Sequence, residues 1–128
     1  DSGTDTRCAI EALSERHVVI NAAMINPIGD EAQNEWVSLY NRGSAQITLD
    51  NWRLVDGQGR EAIINGQVQS GETLILRGGD KGKVKLANTG GSLVLYDDHD
   101  CIIDHVTWSR FDLRRIDEGI AYLFERGQ

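Results

Sequence analysis

Apolar and polar residues alternate along most of this chain in short runs, and clusters of glycine, asparagine or aspartate separate the runs. A period of two marks a strand with one face in a core and the other in water. Residues 17–26 (HVVINAAMIN) predict a first strand in which Val18, Ile20 and Ala22 share a face, ended by Pro27, Gly29 and Asp30. In 35–41, Val37 and Leu39 point one way while Trp36, Ser38 and Tyr40 point the other. Residues 46–55 predict one long strand carrying Ile47 and Leu49, then Trp52 and Leu54, with a kink at Asp50–Asn51. Leu49 and Trp52 are an odd number of residues apart, so the register must shift there through a bulge or bend. Further strands are predicted at 62–64, 73–76, 92–96, 101–108 and 120–124, with Leu74 and Leu76, then Leu93 and Leu95, facing inward. Val84 and Leu86 lead into a turn over 88–91. Strands at this spacing between glycine-rich turns imply an all-β sandwich or barrel. The expected core contains Val37, Leu39, Leu49, Trp52, Leu54, Leu93 and Leu95. One stretch, 6–15 (TRCAIEALSE), has a helical apolar stripe at Cys8, Ala9, Ala12 and Leu13. The expected organisation is therefore an arm or short helix over 1–16, followed by one sandwich over 17–128.

A length of 128 residues suits one domain, and a chain of this size buries roughly two-thirds of its unfolded surface. The formal net charge of -7 opposes binding to nucleic acid or to an anionic bilayer. No run approaches the roughly 18 apolar residues of a membrane helix, so no membrane insertion is expected. One local exception to the acidic balance is Arg77, Lys81, Lys83 and Lys85. These predict a solvated hairpin whose lysines protect an exposed strand edge, with a phosphate-binding strip as the alternative. The chain starts with Asp1 and shows no leader, as a processed product would, which leaves its compartment open. Cys8 and Cys101 lack zinc-site spacing. They form either a disulfide that ties the N-terminal segment to a late hairpin or two independent thiols.

Residues 97–105 (DDHDCIIDH) crowd four carboxylates and two imidazoles together. Asp97, Asp98 and Asp100 are weak candidates for calcium, which takes six to eight oxygens. The plainer reading is a β-turn, where aspartate accepts from nearby backbone N–H groups. Asp104 and His105 fall on opposite faces of a strand. Hydrolysis needs a nucleophile with a base, or paired carboxylates in a cleft. No Gly-x-Ser-x-Gly elbow is present, and His17, His99 and His105 read as surface or strand residues, so no catalytic residue is expected. Gly78–Gly79 and Gly90–Gly91 lack the lysine and serine or threonine of a phosphate loop and read as turns. Trp52 reads as core, whereas Trp36 is exposed by the alternation and is a candidate contact residue.

Several of these elements together resemble the lamin tail domain. The resemblance rests on Asn26–Pro27 after the first strand, on Glu35, Val37, Leu39, Tyr40 and Asn41, and on Leu49, Trp52, Leu54 and Asp56. It continues through Leu86, Asn88, Gly90, Leu93, Leu95 and Asp97 to Ile103, Asp104, Val106 and Trp108. The match spans 18–108, and a Gly–aromatic–Phe strand over 119–124 is similar to the ending of bacterial members. Asp100 stands where the family usually has glycine. The resemblance implies an immunoglobulin-like β-sandwich. It also implies a non-catalytic binding or scaffolding module for a protein partner, without cofactors, in a secreted or cell-envelope protein of bacterial type. The alternative function is a calcium- or carbohydrate-binding module beside a secreted hydrolase. The chain has no heptads, so filament assembly does not carry over.

Overall fold

Runs of valine, isoleucine and leucine with one dry face must pair and then stack, and the chain does so in two antiparallel four-stranded sheets. The computed structural model describes residues 8, 17–29, 34–114 and 117–124. The first sheet contains β1 (Val18–Met24), β2 (Trp36–Asn41), β7 (Thr73–Arg77) and β10 (Tyr122–Leu123), in the order β10-β1-β2-β7. The second contains β4 (Trp52–Asp56), β5 (Glu61–Ile64), β8 (Gly90–Tyr96) and β9 (Ile102–Ser109), in the order β5-β4-β8-β9. A small ladder of β3 (Ile47–Thr48) and β6 (Gln67–Val68) closes one end. This is an immunoglobulin-like β-sandwich, and Val37, Leu39, Leu49, Trp52, Leu54, Leu93 and Leu95 are all buried between its layers.

The structure differs from the sequence expectations in particular places. The predicted strand over 46–55 is two strands in two sheets. Trp52 N–H donates to Leu49 O, and Asn51 takes a φ of 66°, a left-handed conformation that asparagine tolerates better than most residues. The odd spacing of Leu49 and Trp52 is therefore absorbed by a change of sheet. In β1 the register with β2 slips between Ile20 and Ala22. Asn21 is the extra residue, so Ala23 joins Val18 and Ile20 in the core and Ala22 pairs with Ser38 on the other face. Gly90–Gly91 is the start of β8. Gly91 lies opposite Trp108, and a Cβ there would come within 2.7 Å of the indole. The short strand β6 and the single helical turn α1 (Arg110–Leu113), capped by Ser109 with Asp112, were not anticipated. The predicted helix over 6–15, like the arm over 1–16, lies outside the described residues except at Cys8.

The basic stretch differs most. It is a turn of 3-10 helix (Gly78–Lys81) followed by a strap over 82–89 that crosses the end of the sandwich without joining either sheet. Val84 and Leu86 on the strap plug the core. Lys81, expected to be solvated, is 4% exposed.

Two further connections brace the fold: a disulfide from the N-terminal segment and a hydrogen bond between the layers. Cys8 and Cys101 are disulfide-bonded with Cα atoms 5.3 Å apart. At the edge of the second sheet, Asp104 lies opposite Leu95 by regular alternation with Val106 and Trp108, and the register shifts only beyond it, at Ile103. There its Oδ2 accepts from Ile20 N–H of the first sheet at 2.7 Å.

Candidate functional site

Two acids at the ends of strand motifs organise the strap. Glu35 immediately precedes β2 and is buried. It accepts from Leu86 N–H at 3.4 Å and pairs with Lys81 Nζ at 3.5 Å. Asp56 ends β4 on its inward face. Its Oδ1 accepts from the N–H groups of Gln58 and Arg60, while its Oδ2 accepts from Arg60 Nε and from Lys85 N–H at 3.1 Å. Burial alone would raise the Asp56 carboxyl. The hydrogen bonds from the Arg60 side chain and from the backbone of Lys85, Arg60 and Gln58 outweigh it and hold the group below its ordinary value. Trp108 Nε1 donates to Ala87 O and fixes the far end of the strap. The carboxylates thus replace the strand partner that the strap lacks. A cleft of about 790 Å³ lies along it.

A second feature covers the outer face of the β5-β4-β8-β9 sheet. Register places Ile63, Arg53, Tyr96 and Ile102 in one row across all four strands. Arg53 stacks over the Tyr96 ring at 4.6 Å. The guanidinium is also held at 2.9 Å by Glu61 and at 2.9 Å by Asp100. Val55 and Val94 form the next row, and Ile63 and Ile102 are each 55% exposed. The face thus carries a pinned arginine and a tyrosine at its centre and exposed isoleucines on both flanks. The signal in the sequence is apolar or aromatic residues at outward positions too, at Val55, Ile63, Val94, Tyr96 and Ile102.

The residues singled out in the sequence are dispersed among other tasks. Asp97 is buried and its Oδ1 accepts from His99 and Cys101 N–H, which closes the hairpin between β8 and β9. Asp100, at a φ of 63°, occupies a left-handed position that explains the family's glycine there, and its carboxylate faces Arg53. Asp98 Oδ1 lies 3.9 Å from His99 Nε2. Among the described residues no three His, Cys, Asp or Glu side chains converge as metal ligands would. His17 stands against Gly43, His99 is in the acidic hairpin, and His105 is exposed on β9. Trp36 is half-buried in a recess of about 320 Å³ with Met24, Ile28, Asn34 and Arg77. No helix among the described residues is long and apolar enough to cross a membrane.

A profile of the Lamin Tail Domain matches residues 11–110, most of the chain. The chain belongs to the lamin tail domain family. No curated protein matches it. In this lamin tail domain the residues that carry the resemblance now have physical roles. Trp52 and Leu54 fill the core, Glu35 and Asp56 anchor the strap, and Trp108 clamps it over Gly91.

Proposed function

We propose that this lamin tail domain is a non-catalytic binding and scaffolding module that recognises a protein partner. It would serve as an accessory or surface domain of a secreted or envelope protein of bacterial type. The observation that carries the reading is the Ile63–Arg53–Tyr96–Ile102 row. Tyrosine and arginine dominate the binding energy of protein interfaces when they are held in place and ringed by apolar contacts. Here Arg53 is fixed before any partner arrives by two carboxylates and one ring, which lowers the ordering cost of binding. Four strands spaced about 4.8 Å apart give a face roughly 15–20 Å wide. A stable partner would therefore also touch the flanking hairpin at 97–100. The geometry favours this face over Trp36, whose ring is half-buried in a recess. The Cys8–Cys101 bond supports an oxidising compartment, since such bonds persist outside the cytosol.

Quantitative affinity capture from the native host tests the proposal. Tyr96→Ala and Arg53→Glu should each deplete the same captured protein by about tenfold or more, the loss expected of a hot spot, while Trp36→Ala depletes it less. Equal capture by all variants would move the contact elsewhere. Turnover of an ester, phosphate or glycoside by the purified domain would overturn the non-catalytic reading.

A further inference from the structure

The strap cleft holds chemical groups that its structural anchors leave unused. At its floor Lys81 is buried with only 5% of its side chain exposed. An ammonium group has three N–H donors. Among the described residues its acceptors are Glu35 Oε1 at 3.5 Å and Val84 O at 3.4 Å. Both contacts are long against the roughly 2.7–2.9 Å of a good charge-assisted hydrogen bond. A buried ammonium with long contacts and an unfilled donor is costly unless something else completes its shell. It lines a cleft with room for that something. The volume, about 790 Å³, falls in the usual range for small-molecule sites.

The chemistry of the lining points one way. Arg60, Lys81, Lys83 and Lys85 are cationic, and Glu35 is the one carboxylate among the described lining residues. This is a local excess of positive charge in a chain whose formal net charge is -7. Alternation along the strap sends Val84 and Leu86 inward and leaves Lys83 and Lys85 exposed at the rim. Arg60 is held beside them through Asp56, which also accepts from Lys85 N–H. Leu86 and Ala87 add apolar surface. We propose that this cleft binds a small organic oxyanion, a carboxylate or phosphate on an apolar body. An oxygen of the ligand would take the unfilled Lys81 donor, and Lys83 and Lys85 would draw the charge in. The site goes beyond the protein-binding reading and does not depend on it.

The test is a nitrogen–proton NMR titration of the intact chain at constant ionic strength with benzoate and, separately, phenyl phosphate, using sodium chloride as the control. At least one probe should give saturable shifts confined to 78–87 and to the Lys81 ammonium signal, with a dissociation constant below about 1 mM. The probe that saturates identifies the head group. Lys81→Met should weaken binding by at least about tenfold, as expected when one charged contact is lost. Should that variant unfold, Lys83→Gln combined with Lys85→Gln changes only exposed side chains and should weaken binding severalfold at an unchanged melting temperature. Shifts that stay linear with both probes, or that are the same in the variants as in the parent chain, would overturn the proposal.

Discussion

Replacing both Cys8 and Cys101 with alanine should cost this domain several kcal/mol. The bond joins residues 93 apart in sequence. In the chain-entropy account a closed loop of that length removes about 15–16 cal/mol/K from the unfolded ensemble, or about 4.6 kcal/mol at room temperature. Cys101 is also buried, so its removal leaves a small void and adds to the loss. For a chain of 128 residues, unfolding entropies near 2.1 cal/mol/K per residue turn this into a fall in melting temperature of roughly 15 °C. The assay is reversible urea unfolding of the double variant and the parent, followed by tryptophan fluorescence. The midpoint should drop and the slope should rise, because an unfolded chain without the cross-link exposes more surface. A loss below about 1 kcal/mol with an unchanged slope would refute the reasoning. It would mean that the N-terminal segment is tied down by other contacts, or that the unfolded chain is already restricted.

Trp52→Ala should destabilise by about 3–5 kcal/mol, the usual loss for a buried aromatic; calorimetry giving less than about 1 kcal/mol would remove this side chain from the core. Because folding holds the Asp56 carboxyl below its unfolded value, its stabilisation is complete above about pH 4 and fades as the pH falls through the folded value. Asp56→Asn should therefore be less stable at neutral pH by about 1–3 kcal/mol and show a shallower acid limb, and parallel stability–pH curves would contradict this. Gly91→Ala should lower stability and displace Trp108, read as a shift in its indole N–H resonance, because the added methyl would meet the ring; an unmoved indole signal would show that Gly91 is not needed for its packing.

Much of the sandwich was legible because alternation is a local signal. Val37, Leu39, Leu93 and Leu95 carry the core face within their own strands. What the sequence concealed depended on distant partners or on one residue's backbone. The strap looked like a lysine-rich hairpin because its anchors lie 51 residues away at Glu35 and 29 residues away at Asp56. Nothing local marks Lys81 as buried. The change of sheet rests on a single left-handed residue, Asn51, and the slip in β1 on Asn21. Aspartate density at 97–100 reads as a β-turn with calcium as the alternative, and which distant partners the side chains meet is not local: Asp97 closes the turn, while Asp100 faces Arg53. The outer row was not legible because Val55, Val94 and Tyr96 alternate like a core row, and period two alone does not say which face a second sheet covers. The motif residues Glu35, Asp56 and Trp108 were legible as a family pattern, but their mechanical role emerged only when the strap they hold was placed.

The proposed protein-binding role is tested most directly by photo-crosslinking from within the outer face. A benzophenone amino acid introduced at Tyr96, at Ile102 and, as a control, at the exposed turn residue Ser70 would be irradiated in the native host. The account predicts one dominant protein adduct shared by positions 96 and 102 and absent at Ser70. The absence of any protein adduct at 96 and 102, or the same adducts at all three positions, would contradict it.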